Sequence, residues 1–252
     1  MTMSFGGKSV LVTGAGSGIG RETALAFAAQ GAKVLVSDIT EAGSRTVEDI
    51  RAKGGEAVFV RGDVSKSADV KAMVAEAARA FGRLDIAVNN AGIDPEVSPE
   101  AEWDEGVFAK VMAVNLEGVF LCMKHEIEQM LAQGGGGSIA NVASMAGLIG
   151  VGYKPCYTAS KHAVVGLTRA SALQYGKRGI RVNAVCPAAV DTPILAGNLS
   201  SPEVRAIVDA AHPIGRMGQP EDISAAILWL ASDQAGFVTG HAMAVDGGLS
   251  VQ

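Results

Sequence analysis

The feature that most constrains this chain is the segment 13–20, Thr-Gly-Ala-Gly-Ser-Gly-Ile-Gly, which follows a short apolar run and leads directly into a helical pattern. Glycine lets a backbone turn sharply and pass close to an anionic group, and the amides and dipole of the helix that follows stabilise such a group. The spacing G-x-G-x-x-G does not fit, because Ile19 stands three residues after Gly16; the pattern is Gly14, Gly18, Gly20, or G-x-x-x-G-x-G. A turn of this kind between a strand and a helix is expected to bind the pyrophosphate of a dinucleotide.

The rest of the chain keeps the same rhythm. Apolar runs at 9–13, 33–37, 57–61, 86–89, 138–142, 181–186 and 242–245 alternate with helical stretches at 21–30, 41–53, 67–81, 107–131, 157–175 and 221–230. Short apolar strands separated by amphipathic helices make a parallel sheet covered on both faces. The expected fold class is therefore α/β, a Rossmann-type doubly wound parallel sheet, with ligands outside the carboxyl ends of its strands. A length of 252 residues suits one domain, 1–252, and the irregular stretch 188–215 after the sixth strand reads as a substrate lid. Although glycine occurs 32 times, 48% hydrophobic and 19% charged residues indicate a globular chain.

A formal charge of −5 with scattered basic residues argues against nucleic acid and anionic membranes as partners. Cys122, Cys156 and Cys186 have no metal-ligand spacing and are odd in number, so neither a metal site nor a disulfide framework is expected. Residues 1–8 lack an apolar signal core, and no apolar run approaches the roughly 20 residues that span a bilayer. These readings suit a cytoplasmic protein.

Asp38 ends the second strand, 18 residues past Gly20, where a carboxylate accepts hydrogen bonds from both hydroxyls of an adenosine ribose and repels a 2′-phosphate. Neither 15–17 nor its neighbours Ser37 and Ile39 supply an Arg or Lys, so NAD is expected rather than NADP. The bland alternative is a turn or cap aspartate.

Hydride transfer at a carbon bearing oxygen needs a group that trades a proton with that oxygen. Tyr157 can do so if a cation lowers its phenol from the ordinary pKa of about 10. Lys161, at i+4 on the helix 157–175, shares its face. Spacing alone is weak evidence, since Y-x-x-x-K pairs occur on many helices. Ser144, just after the strand 138–142, can donate to the substrate oxygen as charge develops there; the alternative is a serine capping a turn into Met145-Ala146-Gly147.

Taken in order, 13–20, Asn89-Asn90-Ala91-Gly92, Asn115, Ser144 and Tyr157-Thr158-Ala159-Ser160-Lys161 resemble the motifs of the short-chain dehydrogenase/reductase family over nearly the whole chain. The resemblance implies catalytic roles for Ser144, Tyr157 and Lys161, and for Asn115 a water-holding place in a proton relay through Lys161. It implies cofactor contacts from Gly14, Ser17, Gly18, Ile19, Gly20, Asp38, Ile39, Asp63 and Val64. Further contacts are implied from Asn90, Ala91, Gly92, Tyr157, Lys161, Pro187, Val190 and Thr192. Asn89 would support the sheet centre, and the protein would be a homotetramer. The apolar stretches 223–230, with Trp229, and 242–245 suit such an interface or, equally, the monomer core. One departure is Pro187-Ala188 where the family usually has Pro-Gly; the extra methyl narrows the space beside the nicotinamide.

The expected reaction moves hydride between NAD(H) and a small, fairly apolar secondary alcohol or ketone, cyclic, aryl or sugar. Met145, Leu148, Ile149, Ile194, Leu195, Ile207 and Ile214 suggest an apolar pocket, with Tyr153, Lys154 and Cys156 as further lining candidates. His212 reads as a lid residue or an exposed one. Two alternatives are an NADP-dependent 3-ketoacyl reductase, which Asp38 argues against, and a non-catalytic dinucleotide-binding protein, which would usually have lost one of Ser144, Tyr157 and Lys161.

Overall fold

The runs read as strands are strands in the computed structural model, which describes residues 3–96, 102–196 and 201–251. They are β1 (Ser9–Thr13), β2 (Lys33–Asp38), β3 (Glu56–Arg61), β4 (Ile86–Asn89), β5 (Gly137–Val142), β6 (Ile180–Pro187) and β7 (Ala242–Val245). All pair in parallel, in the order β3-β2-β1-β4-β5-β6-β7. β1 is buried along its whole length, as expected of a strand covered on both faces.

The connecting helices are α1 (Gly18–Ala29), α2 (Ala42–Ala52), α3 (Ser67–Phe81), α4 (Glu105–Met112), α5 (Gly118–Gln133), α6 (Pro155–Tyr175), α7 (Pro193–Ala196), α8 (Pro202–Ala211) and α9 (Pro220–Ala231). On one face Phe27 of α1, Ile50 of α2 and Ile223 and Ile227 of α9 meet the valines of β1 and β2. On the other, Met73 of α3, Met123 and Ile127 of α5 and Val164 of α6 cover Leu11, Leu35 and Ile139. Burying each of these side chains contributes about 1.5–3 kcal/mol. Ile223, Ile227, Leu228 and Leu230 are buried in this core, and Trp229 packs against it half-buried.

Several boundaries shift by one to three residues, α1 starting at Gly18 rather than 21 among them, and three further differences from the sequence expectation bear on the site. α6 begins at Pro155, before Tyr157, because proline at the first helical position has a suitable φ and lacks an amide that would be unpaired there anyway. The helix expected at 107–131 runs over Glu105–Gln133 and contains a π-helical turn, Ala113–Glu117. An 18-residue window within it, with a mean hydropathy of 1.6, is apolar enough to cross a membrane by composition, but Lys110, Glu117, Lys124, Glu126 and Glu128 interrupt the helix, so it contains no unbroken apolar run of that length. Its Val119, Met123, Ile127 and Met130 pack in the core, and it buries Asn115 and Glu126. The lid stretch carries α7 and α8, while 197–200 lie outside the described residues.

β1 has β2 on one side and β4 on the other, so the connections leave in opposite directions and open a crevice at the carboxyl ends of these strands. Beneath it, Asn89 Nδ2 donates to Glu126 Oε2 and to Asn141 Oδ1, both at 3.0 Å, and Asn141 Nδ2 donates to Thr168 Oγ1 at 2.9 Å. Burial pushes the Glu126 carboxyl up to about 8.

Candidate active site

The glycine turn sits in the crevice. Gly14 and Gly18 have φ of +63° and +52°, and a Cβ at Gly20 would stand 2.3 Å from Gly14 O and 2.4 Å from Asn90 Nδ2. Asn90 explains that crowding: its Nδ2 donates to Thr13 O and Gly14 O, while its amide and that of Ala91 donate to Thr13 Oγ1. The turn is therefore braced from β4. The first turn of α1 carries no acidic side chain, and Ser17 makes no side-chain cap bond.

Gly14, Ser17, Gly18, Ile19, Asp38, Ile39, Asp63, Val64, Asn90, Ala91, Gly92 and Thr192 all line one cavity of about 330 Å³. Asp38 Oδ2 accepts from Gly16 N at 2.9 Å, and Oδ1 accepts from Thr40 N and Oγ1, so the turn reading of this aspartate also holds. The β2–β3 register sets Arg61 opposite Asp38; its guanidinium donates to Ile39 O and pairs with Glu41 rather than lining the cavity. Asp63 accepts from the Ser65 amide and hydroxyl, and the hydroxyl holds its carboxyl below the usual range.

A second cavity of about 240 Å³ adjoins the first, sharing Ile19, Asn90, Gly92 and Thr192. Ser144, Tyr157, Lys161, Pro187, Ala188 and Val190 line it. Ala188 is outside the left-handed region, so alanine sits there without backbone strain. Ser144 Oγ accepts from Ala146 N at 3.1 Å and donates to Pro187 O at 3.4 Å, which makes it a turn cap as well as a cavity residue.

Lys161 shares a helix face with Tyr157 and lies against the face of its ring. Its Nζ donates to Val142 O at 2.9 Å and lies 5.5 Å from the Tyr157 ring centroid. Burial pushes the phenol up to about 12, against a lowering by the Ser144 hydroxyl and a further rise from the Asp94 charge. Burial likewise brings the Lys161 ammonium down to about 8, opposed by Cys186 and Asp94.

Asn115 lies under the site on the π-helical turn. Its Oδ1 accepts from Ile93 N at 2.8 Å, and its Nδ2 donates to Ile93 O at 2.9 Å. Gly92 is held between Asn115 and Lys161, since a Cβ there would approach Oδ1 at 3.3 Å and Nζ at 3.6 Å.

Met145, Ile194, Leu195 and Lys154 line the second cavity, whereas Leu148, Ile149, Ile207, Ile214, Tyr153 and Cys156 do not. Ile207, Ile214 and Tyr153 are exposed, and Cys156 is a buried thiol that burial pushes up to about 11. His212 is buried rather than exposed, with Nδ1 bonded to Val208 O. Sequence reasoning missed Asp94 and Glu96. Asp94 Oδ2 pairs with Lys154 Nζ at 2.6 Å, and Glu96 accepts from Cys156 N at 3.1 Å and Tyr157 N at 2.9 Å. The one available signal was two acidic residues just after Gly92.

A family model described as enoyl-(acyl carrier protein) reductase matches residues 14–250. A 2,5-dichloro-2,5-cyclohexadiene-1,4-diol dehydrogenase of Sphingobium indicum is 46% identical over 245 residues, 97% of each chain. A cyclohexanol dehydrogenase of Acinetobacter sp. is 45% identical over 248 residues, 98% of this chain and 96% of the relative. A solved structure from Beutenbergia cavernae, described as a candidate NAD(P)-dependent gluconate 5-dehydrogenase with NADP at low occupancy, superposes with a TM-score of 0.93 at 38% identity. It covers 99% of both chains.

Proposed function

Because the chain belongs to the short-chain dehydrogenase/reductase family, we propose that it is an NAD-dependent dehydrogenase interconverting a small cyclic secondary alcohol and its ketone. Membership makes it an oxidoreductase using a nicotinamide dinucleotide. The observation that carries the reading is the continuity of the two cavities, which puts Ser144, Tyr157 and Lys161 in the space next to the glycine turn.

The residues present fit a dinucleotide. Amides in the first turn of α1, free of acidic neighbours, suit a pyrophosphate, and the Asp38 carboxylate suits ribose hydroxyls. Thr192, Val190 and Pro187 would flank the nicotinamide, and Ile39, Asp63 and Val64 the adenine. The chemistry that the cofactor supplies when bound is hydride acceptance or donation.

This chain's own residues handle the proton. In oxidation the Tyr157 oxygen, ionised to phenolate, takes the proton from the substrate hydroxyl, and in reduction the neutral phenol gives it to the forming alkoxide. Ser144 Oγ donates to the same substrate oxygen. Lys161, protonated below about 8, holds positive charge beneath the phenol and the ribose, and Asn115 holds the Ile93 backbone and a relay water.

NAD preference is supported by Asp38 on the cavity wall. The competing reading is NADP, favoured by Arg61 opposite Asp38; Glu41 draws that guanidinium away. The test is titration of both cofactors on the wild type and on Asp38→Ala. We expect NAD to bind at least about ten-fold tighter to the wild type and the preference to vanish in the variant; equal wild-type affinities would overturn the assignment. One catalytic domain, 1–252, working in the cytoplasm as a homotetramer completes the reading. Exposed Phe108, Phe120 and Leu173 on α4, α5 and α6 support subunit burial, and a monomeric mass by light scattering would reject it.

A further inference from the structure

The cavity at the glycine turn has an acidic wall. Asp38 and Asp63 both line it, and the cations beside them are engaged elsewhere. Arg61, opposite Asp38 in the sheet, pairs with Glu41, and Lys66 pairs with Asp63 itself. An anionic pyrophosphate that enters such a crevice meets repulsion. The N-terminus of α1, which carries about half a unit of positive charge, offsets it only in part. Among the described residues that line this cavity one is cationic, Lys110 of α4. It is exposed, and its ammonium has no hydrogen bond or ion pair with any described residue.

Helix period puts that lysine on the cavity side. Lys110 and Val114 stand one turn apart on the same face, and both line the cavity. Phe108, two residues before Lys110, falls on the far side of the helix and is exposed there. The base of the side chain is also held firmly. Asp104 caps the start of α4 by accepting from Val107 N at 3.0 Å, and Val111 is fully buried. Further along the same helix Asn115 is bonded to both backbone groups of Ile93, which lines the cavity as well. A flexible ammonium on a fixed stem therefore reaches over a crevice whose own charges repel its ligand.

We propose that Lys110 is a further cofactor-binding residue, whose ammonium pairs from α4 with the pyrophosphate of the dinucleotide and offsets the charge of Asp38 and Asp63. Lysine suits the task because it acts on phosphate as a point charge and needs no fixed bonding geometry. The residue belongs to none of the motif segments, so spacing gives no sign of it; only the fold brings α4 over the glycine turn. The proposal rests on the dinucleotide part of the reading above and on no choice of substrate.

The test is a fluorescence titration of NADH on the wild type, Lys110→Met and Lys110→Arg. It is run at ionic strengths of about 0.01 M and about 1 M, between which the screening length falls from about 30 Å to about 3 Å. At low salt we expect the Kd of Lys110→Met to lie about five- to ten-fold above that of the wild type, and at high salt the two should converge to within about two-fold. Lys110→Arg keeps the charge and should stay within about two-fold of the wild type at both. Equal affinities of wild type and Lys110→Met at low salt would overturn the pairing. A loss that persists undiminished at high salt, or that Lys110→Arg shares in full, would overturn it too, because the side chain would then act by packing rather than by charge. A wild type that binds neither NADH nor NADPH at either salt would remove the dinucleotide reading, and the role of Lys110 with it.

Discussion

At Tyr157 and Lys161 burial works against both ionisations the proposed chemistry uses, pushing the phenol up to about 12 and the ammonium down to about 8. Near neutrality the pair therefore holds a neutral phenol above a charged lysine, a proton donor ready for the reductive direction. Replacing Tyr157 with Phe removes only the phenol oxygen. We expect kcat to fall by roughly 10²–10⁴ while NADH affinity, followed by fluorescence, stays within about three-fold. A variant with wild-type kcat would refute the assignment of Tyr157. These two residues and Ser144 were legible in the sequence because their relation is local, one helix face and one strand end. The bond of Lys161 to Val142 O was not legible, because it joins residues on different elements, and it explains why the lysine lies beneath the ring rather than at its oxygen.

α6 starts without the cap that a helix usually supplies for itself: Lys154 at its N-cap position makes no side-chain cap bond, and Pro155 has no amide to give. Glu96 meets the next two amides from 60 and 61 residues away. Glu96→Ala should cost about 1 kcal/mol of stability, as losing a cap does, and should lower kcat more than cofactor affinity, because the lost bond orients Tyr157. Glu96→Gln, which keeps one acceptor, should fall between; thermal melts and kcat measured together would expose a purely structural role if kcat were untouched. At the other end of the site, Gly20→Ala drives a Cβ against Gly14 O, a backbone atom that cannot swing aside. Loss of dinucleotide binding is the expected outcome, read by the same fluorescence titration. The strand runs and the glycine turn were readable because period and composition report them directly. The π-helical turn was not, since one extra residue per turn shifts the apolar stripe only locally, and neither was a cap supplied across 60 residues.

Across the whole molecule, Glu126 should make stability fall as pH rises from about 4.5 to 8. Burial raises Glu126 from 4.5 to about 8, so the folded state keeps a proton that the unfolded chain releases above 4.5. Its contribution is complete below 4.5 and is lost as pH rises toward 8, an effect of at most about 5 kcal/mol. The protonated form also makes structural sense. Glu126 Oε1 and Asn89 Oδ1 are both buried without a partner among the described residues, and a neutral carboxyl supplies the donor that an ionised one lacks. Lys161 has the opposite history: the folded state gives up its proton near 8 and the unfolded chain only near 10.5, so its own contribution recovers as pH rises between them, against losses from the Cys156 and Cys186 thiols, which burial raises from 9.0 to about 11. Both groups lie under the same crevice, one below β4 and one below β5, so the place that holds the site together is also the place where its ionisation strains the fold. Glu126→Gln removes the titrating proton and retains an amide that still bonds Asn89. Melting temperatures of the variant should stay level between pH 4.5 and 8 where the wild type declines, with the two curves closest at the acid end; parallel curves across that range would mean that Glu126 does not hold its proton in the folded protein.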